Sequence, residues 1–116
     1  MDMNITAESY GHSVMLILRG ELTADSLEAF SKAVDHQLES RDVIDVVLNL
    51  EAMPFLDSAG LEFLLDLQDR LAESRMGQVK LARPDENVRK ILEITRLDSA
   101  FQVYDDPARA VQAVQT

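Results

Sequence analysis

The sequence predicts an α/β fold, a mixed β-sheet of four to five strands with about four helices in the order ββαβαβαβα. Three observations lead there. Apolar, β-branched runs of strand length occupy residues 14–18 and 43–50. From the second strand onward, strand-like and helix-like segments alternate, which is the pattern of parallel strands joined by crossover helices. The first two strands are separated only by the turn Tyr10-Gly11-His12-Ser13. That is too short for a crossover, so they form an antiparallel hairpin.

Each element has its own signal. Met3, Ile5 and Ala7 alternate with Asn4, Thr6 and Glu8, as a half-buried strand does. Val14-Met15-Leu16-Ile17-Leu18 is apolar throughout and is expected inside the sheet, covered on both faces. Asp25-Ser26-Leu27-Glu28 has the form of a capping box with Asp in place of Ser or Thr. Leu27, Phe30, Val34 and Leu38 follow at helical spacing, predicting an amphipathic helix of about 14 residues that Arg41-Asp42 breaks. Residues 43–50 form the third strand, parallel to the second because a helix joins them.

A second helix begins near Ser58. Leu61, Leu64, Leu65, Leu71 and Ala72 form its core stripe, and Glu62, Asp66, Asp69, Arg70 and Glu73 its solvent stripe. Phe63 and Leu67 fall on the flank, in line with Gly60. Gly77 ends the helix. Residues 78–82 are a short fourth strand. Arg83-Pro84-Asp85-Glu86 starts a third helix with Pro early in its first turn, and Val88, Ile91 and Leu92 are its apolar face. A last strand lies around Phe101-Gln102-Val103. Asp106-Pro107, an N-cap followed by Pro, opens a terminal helix that Ala108, Val111 and Val114 can dock.

Composition narrows the function. At 116 residues, the chain is expected to be a single domain over 1–116 with a core that needs no staples. It has no cysteine, which excludes a disulfide framework and a thiolate metal site. With no apolar run of spanning length and no leader-like N-terminus, a cytoplasmic protein without direct membrane insertion is expected. Acidic residues outnumber basic ones 21 to 11, for a net charge of −10. Nucleic acid and anionic lipid would be repelled. The acidity either serves solubility or matches a basic partner surface. Phosphate-cradling glycine motifs are absent, so no nucleotide signature is present. Asp66, Asp69 and Glu73 share a helix face with no histidine and read as a solvated row, while Asp105-Asp106 reads as capping. No cofactor and no metal is expected.

The stretch from Val46 to Leu65 organises the rest. It runs from a buried strand through Pro54 into the helix, with Asp57-Ser58-Ala59-Gly60 at the junction. Ser58 admits three readings. It can be a helix N-cap, because short oxygens accept from the free N–H groups of the first turn. It can be a nucleophile, which needs a general base. The only histidines are His12 and His36, neither with an evident orienting partner, and the position two before the serine is Leu56 rather than glycine. It can also be a phosphoacceptor, since a helix N-terminus tolerates the added charge. Phe63 and Leu67 are either flank packing or an exposed apolar strip beside Ser58 that a partner covers.

These residues resemble the STAS domains, and within them the bacterial anti-sigma-factor antagonists, over nearly the whole chain. Val47-Leu48-Asn49-Leu50 followed by Phe55-Leu56-Asp57-Ser58-Ala59-Gly60-Leu61 is similar to the family's phosphorylation-site signature. Gly20-Glu21-Leu22, and Asn87-Val88-Arg89-Lys90-Ile91-Leu92 with Leu97 and Phe101, resemble two further family elements. Thr23 stands where the family commonly has Asp, with Asp25 two residues on. Ala59 replaces a frequent second serine, and Arg96 occupies a position where glycine is common.

The resemblance implies a STAS-like sheet and a binding module with no catalysis of its own. It implies that the unphosphorylated form binds an anti-sigma factor that is also a serine kinase, freeing the sigma factor. That kinase then phosphorylates Ser58, and a PP2C-type phosphatase resets it. The implied docking surface comprises Asp57, Ser58, Ala59, Gly60, Phe63 and Leu67, with Thr23 and Asp25 in the neighbouring loop. The alternative is a constitutive STAS adaptor subunit of a signalling assembly or a lipid-transport ABC complex.

Overall fold

The structure, a computed structural model, describes residues 3–112. Strands β1 (Asn4–Tyr10) and β2 (Ser13–Arg19) form the hairpin. Helix α1 (Leu27–Leu38) leads to β3 (Asp45–Ala52), α2 (Ser58–Arg75) to β4 (Val79–Ala82), and α3 (Glu86–Ile94) to β5 (Gln102–Tyr104). Helix α4 (Pro107–Gln112) follows. The strands lie in chain order, β1-β2-β3-β4-β5, with β1 antiparallel to β2 and β2 to β5 mutually parallel. This is the mixed sheet and element order that the sequence predicts.

Because every crossover steps to the next strand in the same direction, α1, α2 and α3 share one face of the sheet. Alternation along the strands sends Val14, Leu16, Leu18, Val46, Leu48, Leu50, Val79 and Leu81 into that layer. There they meet Phe30 and Val34 of α1, Leu61, Leu64, Leu67 and Leu71 of α2, and Val88 and Leu92 of α3. The opposite face carries a smaller cluster of Met15, Val47 and Ala82 beneath Ala110 of α4. Both faces of β2 are thus covered, which explains its unbroken apolar run.

Several expectations are corrected. β1 is an edge strand, and Ala7 is exposed rather than half-buried. β3 extends to Ala52, beyond its apolar run, because Ala52 still pairs with Arg19 of β2. α1 spans 12 residues and begins at Leu27, not at the Asp25 box. Pro84 precedes the third helix instead of entering its first turn, and Asp85 caps it by accepting from the N–H of Asn87 at 2.8 Å. In α4 Val111 packs half-buried as expected and Ala110 is the buried side chain, whereas Ala108 is exposed; Val114 lies outside the described residues. Asp106 does cap α4, accepting from the N–H of Ala108, but Asp105 pairs with Arg89 at 3.0 Å.

Helix α2 is rolled relative to the expected stripe. Leu67 is buried, Leu65 is half-buried and Ala72 faces solvent. Close approaches at both ends set this roll. A Cβ at Gly60 would lie 2.5 Å from the Leu22 carbonyl oxygen, and one at Gly77 would lie 1.9 Å from that of Ile44. Gly77 therefore serves close packing. The left-handed residue that stops the helix is Met76, at φ 55°.

Lys80 on β4 is fully buried beneath α4, a feature the strand pattern does not reveal. Its ammonium lies 3.2 Å from the Asp45 carboxylate and donates to the Ala110 carbonyl at 3.3 Å. Asp45 also accepts from the N–H of Gln78 at 3.0 Å.

Candidate functional site

Two loops leave the C-terminal ends of neighbouring parallel strands and zip together beyond the sheet. The Gly20 N–H donates to the Ala52 carbonyl, the Leu22 N–H to the Phe55 carbonyl and the Asp57 N–H to the Leu22 carbonyl, each at 3.1 Å. Leu22 and Leu56 pair as a parallel bridge and both are buried. Alternation then turns Phe55 and Asp57 outward. Gly20-Glu21-Leu22 and Asp57-Ser58-Ala59-Gly60, far apart in sequence, are one site. Gly60 is small because the Leu22 backbone lies against it.

Asp57 is the N-cap of α2, with extended backbone at φ −96° and ψ −176°. One carboxylate oxygen accepts from the Gly60 N–H at 2.8 Å and the other from the Ala24 N–H at 3.1 Å. These two donors, the Gly60 N–H first, hold the carboxyl below the usual aspartate range. Asp57 thus performs the capping for which Ser58 was also a candidate. Ser58 is the first helical residue, is exposed, and its hydroxyl has no hydrogen-bond partner among the described residues. Ala59 beside it is half-buried and Gly60 is buried.

The loop carrying Thr23 and Asp25 is held by Ser26 rather than by a capping box. The Ser26 hydroxyl donates to the Glu21 carbonyl at 2.8 Å and accepts from the Thr23 N–H at 3.0 Å. Ser26 makes no side-chain bond to the α1 N-terminus. Thr23 is half-buried and Asp25 exposed, so Asp25 stands at the rim of the site without capping the helix.

The expected apolar strip is not present as drawn. Leu67 is 3% exposed and belongs to the core, so it offers no surface. Phe63 is half-buried, its ring 5.2 Å from that of Phe30 at an interplanar angle of 53°. The exposed aromatic at this end is Phe55, with 42% of its surface open and Pro54 exposed beside it. A reading of 52–57 as a plain turn misses Phe55; a strand-like alternation about buried Leu56 finds it.

Both histidines lie away from Ser58. The carbonyl of His12 accepts from the N–H groups of Ile44 and Asp45, at the start of β3, and His36 is in the last turn of α1. Ser58 follows the opposite end of β3, a strand of 8 residues and so roughly 26 Å long. The strand order never reverses between β2 and β5, so the sheet has no switch point of the kind that opens a ligand crevice. The site is a surface built from two loops and a helix end.

A family model described as the STAS domain matches residues 4–110. The chain belongs to the STAS domain family. Among relatives, this STAS domain is 25% identical to the anti-sigma F factor antagonist of Paenibacillus polymyxa, covering 97% of each chain. Among solved structures, it is similar to a Thermotoga maritima protein named as an anti-sigma factor antagonist, with a TM-score of 0.83, 24% identity and coverage of 93% and 92% of the two chains. It is also similar to the anti-sigma factor antagonist SpoIIAA in its unphosphorylated form, with a TM-score of 0.76, 22% identity and coverage of 97% and 100%. The phosphorylated Bacillus SpoIIAA gives a TM-score of 0.72 at 22% identity, with the same coverage. These likenesses to solved structures carry the fold. Among the described residues no helix is long and apolar enough to cross a membrane.

Proposed function

We propose that this STAS domain is an anti-sigma-factor antagonist whose partner binding is switched by phosphorylation of Ser58. The observation that carries the reading is the division of labour at the head of α2: Asp57 caps the helix, and the exposed Ser58 hydroxyl is uncommitted. Unphosphorylated, the surface binds a serine-kinase anti-sigma factor in the cytoplasm and releases the sigma factor. The domain itself is a binding module, not an enzyme.

A phosphate brings roughly −1.5 to −2 charges. The helix N-terminus tolerates the new dianion, while the Asp57 carboxylate that holds the Gly60 N–H opposes it. The dianion acts on whatever lies over it. A 100- to 1000-fold loss of affinity needs about 3–4 kcal/mol, which burying an unpaired dianion supplies. A PP2C-type phosphatase restores the binding form.

The test is incubation of the protein with lysate of its source cells and ATP, followed by intact mass and site mapping. One phosphate on Ser58, lost in Ser58→Ala, is the expected result. No phosphate, with Ser58→Ala capturing the same partners as wild type, would replace the switch by the constitutive adaptor. Equal binding of the anti-sigma factor by Ser58→Asp and wild type would also refute the switch.

A further inference from the structure

The Ser58 surface sets exposed apolar side chains among acidic ones, with the exposed Arg19 at its edge, opposite Ala52. Phe55 and Pro54 are exposed on the segment that leads into Ser58. The segments that build the surface, 20–28 and 52–66, contain Glu21, Asp25, Glu28, Asp57, Glu62 and Asp66 and not one lysine or arginine. All of these acids are exposed except Asp57, which is half-buried. Glu28 is paired with Lys32 at 3.1 Å, an exposed contact of little screening value. At the other end of α2 the charges are mixed: Arg70 is paired with Asp35 at 2.9 Å, and Glu39 lines the same cavity as Arg41, Arg70 and Arg75.

From this arrangement we infer that the partner presents a cationic face with an apolar recess for Phe55, and that the acidic rim and Phe55 govern different rates. The inference rests on the proposed switch and names the chemistry of its partner. The acidic rim steers a cationic surface toward the Ser58 end. Phe55 fills the recess and sets the lifetime of the complex. Phosphate on Ser58 adds negative charge to an already acidic rim, which does not weaken attraction to a cation. Release must therefore come from the apolar contact, where the phosphate is desolvated and holds the recess off Phe55. Phosphorylation accordingly raises the dissociation rate and leaves the association rate unchanged or slightly higher.

The experiment uses the full chain and the purified kinase-type anti-sigma factor of the source organism, with association and dissociation rates measured at low and high salt. Wild-type association should slow roughly tenfold or more as salt rises. Glu21→Gln with Asp25→Asn and Glu62→Gln should slow association at low salt, flatten the salt dependence and leave dissociation unchanged. Phe55→Ala should raise dissociation at least tenfold with association nearly unchanged, and Phe55→Leu should restore part of the loss. All four side chains are exposed, and wild-type thermal unfolding of the variants confirms the fold. Salt-independent association, or unaltered dissociation in Phe55→Ala, would overturn the inference while leaving the switch intact. Failure of this partner to bind at all would overturn the functional reading as well.

Discussion

The Asp57 carboxylate accepts a hydrogen bond from the backbone N–H of Ala24 at 3.1 Å, across 33 residues of sequence. Its other oxygen caps α2 through Gly60. One side chain therefore sets the helix start and holds the neighbouring loop to it. In Asp57→Asn one amide oxygen can keep the cap, but the amide nitrogen, a donor, cannot replace the oxygen that faces the Ala24 N–H. Hydrogen exchange should speed up at Ala24 more than at Gly60, with a lower unfolding temperature. Equal protection at Ala24 in the variant would refute the latch.

The same bonds give a pH dependence. The folded-state pKa of Asp57 lies below its unfolded value of about 3.9. Its stabilisation is thus fully present above that unfolded value and is lost as pH falls through the lowered folded one. Acid titration of stability should show a steeper loss below about pH 4 in wild type than in Asp57→Asn. Parallel curves would contradict this.

Gly60→Ala places a methyl group 2.5 Å from the Leu22 carbonyl oxygen. Backbone must move, because no side-chain rotation relieves that contact. A cost of about 1–3 kcal/mol in denaturant unfolding is expected, together with loss of exchange protection at Leu22 and Asp57.

Ser58→Ala removes an exposed hydroxyl with no partner among the described residues. Stability should change by less than about 0.5 kcal/mol. A loss of about 1 kcal/mol or more would show that Ser58 shares the capping with Asp57.

Lys80→Met removes the ammonium beside the buried Asp45 carboxylate, which keeps the Gln78 N–H. Removing one partner of a buried pair costs about 3–5 kcal/mol. Urea unfolding should register that loss, and a change under about 1 kcal/mol would mean that Asp45 is stabilised without the lysine.

Arg96 follows α3 at φ 60°, a left-handed conformation that costs a side-chain-bearing residue about 1 kcal/mol. The resemblance to the family places a glycine there. Arg96→Gly should raise stability by up to about that amount, less the greater chain entropy of glycine in the unfolded state. Marked destabilisation would show that the arginine makes compensating contacts.

Much of this was written locally. The apolar runs of β2 and β3, Leu61 and Leu64 on α2, and the Asp106-Pro107 start of α4 follow from nearest-neighbour chemistry, which acts whatever the rest of the chain does. The motif around Ser58 is likewise continuous in sequence. Capping was ambiguous because Asp57 and Ser58 are both good caps, and their difference depends on where the Ala24 N–H lies. The Asp25 box fails because the helix starts one residue later, with Ser26 at the N-cap position and its hydroxyl bound to the Glu21 carbonyl of its own loop.

By itself, the sequence determined the element order, the mixed sheet and the placement of Ser58 at a strand-to-helix junction, because these depend on periodicity and local hydrogen-bonding choices. Only the tertiary structure decided which side chains the site presents. The Leu22–Leu56 bridge and the contacts of Gly60 and Gly77 fix the roll of α2, and that roll buries Leu67. The same bridge turns Phe55 outward. The physical reason is that a helix or an extended segment specifies its faces but not its rotation, which is set by the backbone packed against its ends.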